Sequence, residues 1–312
     1  MTQVKTRIYN CGGTGLNIGS QYSPNSDAVC FIDSSAANKS HSTLPTERLY
    51  IIPDTDGAGG DMAYMMPFVK KNMSAIIDQF PPGKVNIIVT SGGGGTGPAV
   101  ATGLVDYLLG EGATVFILVV GGVDTTKRLR NTTNLIKNLD ALTMKHGEHP
   151  ILDYVDNQGG EKVADEEILF RLAALDALTD QMNDRIDTKD IENFVHFHRI
   201  TSVPSQLCML HIHETRAAAA AVLEPIAVAA LVTDIIHDVP YGAAFVRSVG
   251  ICEEDKIPGN QLHFVINSVG IGSVMDNLEE LRVKLTTVQS TFRQRRPTFV
   301  KEDLGADELF LG

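Results

Sequence analysis

The stretch Ser91-Gly92-Gly93-Gly94-Gly95-Thr96-Gly97-Pro98 constrains this chain more than any other. It follows an apolar, strand-like run, Val85 to Val89, and precedes a helix-like run from Ala99 to Leu109. Glycine has no side chain, so its backbone N–H groups can approach an anion closely. The start of the following helix adds unpaired N–H groups and a positive end. Thr96 adds a hydroxyl. Four consecutive glycines cost about 1 kcal/mol each relative to alanine, a loss best explained by a ligand that the backbone must approach. Strand, glycine loop and helix together predict a phosphate cradle. No G-K-[ST] follows, so the loop is not a Walker loop, and it does not space its glycines as GxGxxG.

Composition narrows the function classes. The chain has 312 residues, 43% of them apolar, enough for a sizeable core in one large or two modest domains. Its net charge of −12 argues against direct nucleic-acid binding and against an acidic membrane surface. The longest apolar stretch, Ala217 to Val232, is interrupted by Glu224 and Pro225 and is too short to span a bilayer. No basic-apolar leader is seen, and Cys11, Cys30, Cys208 and Cys252 form no CxxC pair. They read as buried apolar residues in a reducing compartment, and a cytoplasmic protein is expected.

The order of elements predicts an α/β fold. Strands are expected at Lys5–Cys11, Ala28–Asp33, Arg48–Pro53, Val85–Val89, Thr114–Val120 and Ile151–Val155, with helices between them. This is the rhythm of a doubly wound parallel sheet, whose ligands bind beyond the carboxyl ends of the strands. Loops at 12–15, 57–60, 91–97 and 121–128 would converge there. A long helix is expected from Glu161 to Met182, its stripe of Ile168, Leu172, Leu175 and Leu178 being ordinary core. The second half changes rhythm: strands at 206–213, 243–251 and 261–268, an alanine-rich helix at 214–235 and a final helix from Ile271 to Arg295 suggest a smaller α+β domain. The expected divisions are a nucleotide-binding domain at 1–160, a central helix at 161–186, a second domain at 187–270, and a final helix with an acidic tail at 271–312.

With these residues in view, the chain resembles the tubulin/FtsZ superfamily, most closely its phage-encoded tubulin-like branch. That superfamily carries a small residue, Gly-Gly-Thr-Gly, a small residue and Gly. Gly93 to Gly97 match the first five positions, while Pro98 and Ala99 depart at the last two, the proline resembling a first helical residue. Gln206 to Thr215, Gln261 to Gly270 and Gln289 to Pro297 look like the phage branch's second-domain strands and final helix.

The resemblance implies a GTPase that polymerises into filaments, with GTP or GDP and Mg²⁺ as cofactors and no resident metal site. Gly12, Gly13, Thr14 and Gly15 would contact the α- and β-phosphates, Ala58, Gly59 and Gly60 would sense the γ-phosphate, and Gly93, Gly94, Gly95, Thr96 and Gly97 would hold the diphosphate. Asp124 takes the place of a ribose-side acid and Arg128 that of a basic residue near the nucleotide. Asn157 matches an asparagine that reads guanine, with Asp165, or failing it Glu166, completing the reading. In this family the next subunit completes each active site through an acidic loop, which Ile186 to Ile191 resembles. Asp187 and Asp190 would polarise the attacking water, although their spacing also fits a helix cap. The tail at 301–312 would grip the adjacent subunit, with Arg216, Arg247, Lys284, Arg293, Arg295 and Arg296 as possible basic partners. The branch implies a role in positioning phage DNA or its compartment in the infected cell.

Two rival readings remain. A Rossmann-type oxidoreductase would want a third glycine where Ile18 stands. A structural filament that binds GTP without turnover would not need Asp187 and Asp190. His211 and His213 share a strand face, but no third ligand is evident, so a structural role is expected. His196 and His198 are read as structural too, in a helical or surface setting.

Overall fold

The computed structural model describes residues 4–22, 26–37, 44–179, 185–233, 245–253, 257 and 259–294. Strands β1 (Thr6–Cys11), β2 (Val29–Asp33), β3 (Leu49–Ile51), β4 (Val85–Ser91), β5 (Thr114–Gly121) and β6 (Ile151–Asp156) alternate with helices α1 (Gly12–Tyr22), α2 (Met62–Gln79), α3 (Thr96–Gly110) and α4 (Thr126–His146). Helix α5 (Glu161–Thr179) follows β6, and α6 (Thr188–Val195) precedes β7 (Cys208–His213). The chain then runs through α7 (Arg216–Ala220), β8 (Ala227–Val232), β9 (Val246–Ile251), β10 (Gln261–Asn267) and α8 (Val269–Gln294).

The described strands form one ten-stranded sheet in the order β3-β2-β1-β4-β5-β6-β7-β10-β8-β9. The first six are parallel. The inner four, β1, β2, β4 and β5, are buried on both faces, which explains their largely apolar sequences. Alternate residues point to opposite faces. Ile8, Phe31, Ile87 and Phe116 meet α1 and α5 through Leu16, Ile18, Ile168 and Leu172. Tyr9, Ile32, Ile88 and Ile117 meet α2, α3 and α4 through Met65, Val69, Leu104 and Leu135.

The sheet continues across residues 160 and 187 through a short parallel seam, Ile151 beside Cys208 and Leu152 beside Met209. Beyond it β10 pairs antiparallel with β7 and β8, and β9 runs parallel to β8. The four cysteines are buried and free, and none of the described helices is long and apolar enough to cross a membrane.

The alanine-rich helix expected at 214–235 is corrected. Helix α7 ends at Ala220, Glu224 adopts φ 49°, and Pro225 follows. A proline disfavours helix at the preceding residue. The second alanine run, Ala227 to Val232, is a fully buried strand between β10 and β9. Small side chains suit that crowded position, so tertiary burial overrides helix propensity.

Candidate nucleotide site

The strand order reverses between β1 and β4, a topological switch point of the kind where α/β sheets bind ligands. A cavity of about 240 Å³ opens there, lined by residues that include Gly12, Gly13, Thr14, Ala58, Gly60 and Arg128. Gly94, Gly95, Thr96 and Gly97 complete the expected part of its wall, and Asp33, Ser34, Ser35, Gly57 and Ser91 add to it. A larger cavity, about 830 Å³, lies at the opposite ends of the strands near Arg7, Arg48 and Lys84. Its two arginines are already engaged within the fold, Arg7 Nη1 donating to Asp27 O at 2.6 Å and Arg48 pairing with Asp27 at 2.7 Å. Size therefore does not choose the site; the glycine loops do.

Helices α1 and α3 both begin at the smaller cavity, each bringing first-turn N–H groups that have no partner within a helix. Gly12 to Gly15 are therefore the opening turn of α1 rather than a separate loop before it. Pro98 is the third residue of α3 rather than the first, because Gly95 is the N-cap. It still falls in the first turn, where its missing N–H leaves no helical bond unmade.

The glycines serve close loop packing as well as ligand access. A Cβ on Gly12, whose φ is +70°, would lie 2.7 Å from Gly97 N, and one on Gly95 would lie 2.6 Å from Ala58 Cβ. Gly15 and Gly93 do not line the cavity. A Cβ on Gly15 would meet Val89 O at 2.8 Å, and one on Gly93 would meet Gly122 Cα at 2.8 Å, so both are packing positions. Gly59 is also off the wall; its carbonyl accepts from Lys127 Nζ at 2.7 Å.

Buried Asn131 was missed by sequence reasoning. Its Nδ2 donates to Gly60 O at 2.9 Å, Gly94 O at 2.9 Å and Gly93 O at 3.2 Å. One side chain of α4 thus fastens the loop after β3 to the loop after β4. Ser34 was missed as well; its hydroxyl hydrogen-bonds that of Thr96. Its signal was its place directly after a strand that ends in an acid.

Of the expected base-side residues, Arg128 lines the cavity, while Asp124, Asn157 and Asp165 lie off its wall. Asn157 Oδ1 accepts from Val123 N at 3.0 Å. Arg128 reaches Asp124 and Glu161, each at 2.9 Å, joining the loop after β5 to the start of α5. Burial works against the charge on Asp124, but its bond to Arg128 outweighs this and holds the carboxyl below its usual range. Half-buried Asp165 is pushed the other way, by burial and then by Glu161.

Asp187 and Asp190 lie outside this cavity within the same chain. They form a complete capping box on α6: the Asp187 carboxylate accepts from Lys189 N at 2.7 Å and Asp190 N at 3.0 Å, and Asp190 accepts from Asp187 N at 3.1 Å. His211 Nε2 meets Asn267 Oδ1 at 3.0 Å and its ring stacks on His213, a structural setting. His196 is not at the surface; it is buried. The tail at 301–312, with Arg295 and Arg296, lies outside the described residues, as do the side chains of Arg247 and Arg293. Lys284 pairs only loosely, with Glu280 at 3.8 Å.

The profile of the phage tubulin-like protein C-terminal domain matches residues 186–271. Over 316 aligned residues the chain is 33% identical to the phage tubulin-like protein of Pseudomonas phage PhiPA3, covering 100% of both. Its structure superposes on a protofilament of TubZ from bacteriophage PhiKZ with a TM-score of 0.88, at 33% identity and 98% coverage of each chain. It matches the GDP complex of the phage tubulin PhuZ with a TM-score of 0.87, at 30% identity and 98% coverage of each. With its parallel sheet, its glycine-walled crevice at the strand ends and relatives that match from end to end, the chain belongs to the phage tubulin-like proteins of the tubulin/FtsZ fold.

Proposed function

We propose that the chain binds GTP in the crevice beyond β1–β5, assembles head to tail into filaments and hydrolyses GTP at sites shared between subunits. The observation that carries this reading is the convergence of two helix N-termini and the backbone of two glycine loops, after β3 and after β4, on one small cavity whose wall also holds Arg128. Such a wall suits a polyphosphate. Asn157 and Asp165 would face the guanine, Asp124 the ribose, and Ala58 to Gly60 the γ-phosphate. Among the described residues, Asp33 is the one carboxylate on the wall. Mg²⁺ would therefore rest mainly on the triphosphate, with Asp33 and the hydroxyls of Ser34 and Thr96 as protein ligands, and would offset phosphate charge. Relatives solved as a protofilament and as a GDP complex support both assembly and the nucleotide.

Phosphoryl transfer needs positioning and charge stabilisation more than covalent help. Asp187 and Asp190 of one subunit would orient water at the next subunit's nucleotide, so hydrolysis would follow assembly. The residue blocks 1–160, 161–186, 187–270 and 271–312 then read as nucleotide domain, spacer helix, activating domain and assembly tail. The tail would grip the neighbour, and deleting 301–312 should raise the concentration needed for assembly. A role in positioning phage DNA or its compartment is consistent with the phage relatives.

Phosphate release from GTP and Mg²⁺ across a protein dilution series tests the shared site. The specific rate should vanish below a threshold concentration; a constant specific rate would overturn it. One observation favours a second reading, a filament without turnover: both carboxylates are already satisfied by the α6 cap. Assembly without phosphate release at any concentration would select it.

A further inference from the structure

We propose that Glu148, His196 and His198 form a binding site for a divalent transition cation of the Zn²⁺ class, separate from the nucleotide cavity. One ligand atom from each residue lies within 4.8 Å of the others. Glu148 Oε2 is 3.1 Å from His196 Nδ1 and 3.2 Å from His198 Nε2. Bonds of about 2.0–2.1 Å in a tetrahedral site put neighbouring donors about 3.3 Å apart, so each imidazole nitrogen already stands near coordinating separation from the carboxylate oxygen. Two imidazoles and one carboxylate suit Zn²⁺ or Co²⁺ and do not suit Mg²⁺.

The surroundings support the ligands from behind. Arg199 Nη2 holds the other carboxylate oxygen, Oε1, at 2.7 Å, which leaves Oε2 to face the imidazoles. His196 Nε2 meets Thr114 Oγ1 at 3.1 Å, a partner that can fix the tautomer with Nδ1 free. Such outer partners orient metal ligands. His198 Nδ1 is buried with no protein partner among the described residues, while Nε2 faces Glu148 Oε2, so a cation at Nε2 would shift the ring proton to Nδ1, where water would have to accept it. His196 is buried while Glu148 and His198 remain partly exposed, which gives a cation a way in and leaves a fourth position for water. His149 closes the site without joining it; its nitrogens are taken by Ser205 Oγ and Val195 O, each at 3.0 Å.

A bound cation would tie the α4–β6 turn to the carboxyl end of α6, the helix whose other end carries Asp187 and Asp190. Its effect would be to steady that helix. Without a cation, the same atoms form a hydrogen-bond network in which both imidazoles donate to Glu148 Oε2.

The test is titration of tag-free, chelator-treated full-length protein with ZnCl₂ against a chromophoric chelator, without nucleotide, and with CoCl₂ by visible absorption. One equivalent of Zn²⁺ per chain should bind, and Co²⁺ should give the intense bands of tetrahedral coordination. His198→Gln and Glu148→Gln should each weaken Zn²⁺ at least about tenfold, the loss seen even for outer partners, and abolish the Co²⁺ bands, with circular dichroism unchanged. Absence of a stoichiometric site, or identical binding by both variants, would overturn the proposal in favour of the hydrogen-bond network. Because His198 is partly exposed, its variant keeps the test valid even where a His196 variant fails to fold.

Discussion

Asp187 and Asp190 each accept a hydrogen bond from the other's backbone N–H, so the two carboxylates proposed for catalysis also start helix α6. The two duties separate by substitution. Asp190→Asn keeps an acceptor for Asp187 N–H and removes the charge; it should leave the urea midpoint nearly unchanged and abolish phosphate release. Asp190→Ala removes both and should also cost stability, about 0.5–2 kcal/mol by analogy with lost caps. Normal turnover by Asp190→Asn would remove Asp190 from the mechanism.

Asn131 is the next target. Asn131→Ala would leave the carbonyls of Gly60, Gly93 and Gly94 without their shared donor. Buried acceptors left unpaired cost about 1–3 kcal/mol. The variant should melt earlier and bind a fluorescent GDP analogue several-fold more weakly, because the two loops would no longer move as one. Equal affinity would mean that the loops hold their spacing without it.

Gly95 makes a contrasting case. A Cβ there would come within 2.7 Å of Asp61 N as well as touching Ala58. Gly95→Ala should push the loop after β3 away from α3 and abolish nucleotide binding while the sheet stays folded. Gly59 has open space around it but a φ of +55°, so Gly59→Ala should cost about 1 kcal/mol of stability and less binding. Calorimetric titration with GDP and thermal melting distinguish the two.

Acid should weaken the fold between about pH 6.5 and 4. Burial, then neighbouring His198 and His196, pushes His149 down to about 3; burial, then His213 and Arg216, pushes His263 down to about 4. A histidine with a lowered folded pKa stabilises fully above its unfolded pKa, about 6.5, and loses that contribution as pH falls. Asp153 works oppositely: burial, only partly offset by Arg171 at 2.6 Å, raises it to about 6, so acid relieves a buried charge. His196, held down to about 4 by burial and then Arg199, and His211 and His213, both lowered by burial, act in the same sense as His149 and His263, while Asp165 joins Asp153 in opposing it. The more numerous histidines predict a net loss, read as a lower urea midpoint at pH 5 than at pH 7 with a chelator present. Asp153→Asn should steepen that fall, since it removes the more deeply buried of the opposing groups.

Much of this was legible because it is local. Apolar runs bounded by glycine placed β1, β4 and β5 to within a residue or two, and the glycine loop announced the crevice. Asn131 was not legible, since in sequence it is one polar residue of a helix; its meaning comes from α4 crossing beneath loops 71 and 37 positions away. Glu148 is likewise 48 residues from His196, joined to it only by the fold. The run at 217–232 misled because alanine signals helix on a surface but fits equally well a strand buried on both sides, and burial is decided by neighbours far along the chain.

The six parallel strands have a further consequence. All their carboxyl ends, with the glycine loops, face one way, and their amino ends face the other. The molecule therefore carries an arrow. A row of such units repeated by one head-to-tail step inherits that arrow, since this kind of contact does not close on itself. Its two tips offer incoming subunits different surfaces, one presenting a nucleotide wall and the other not, so arrival at one tip is a different chemical event from arrival at the other.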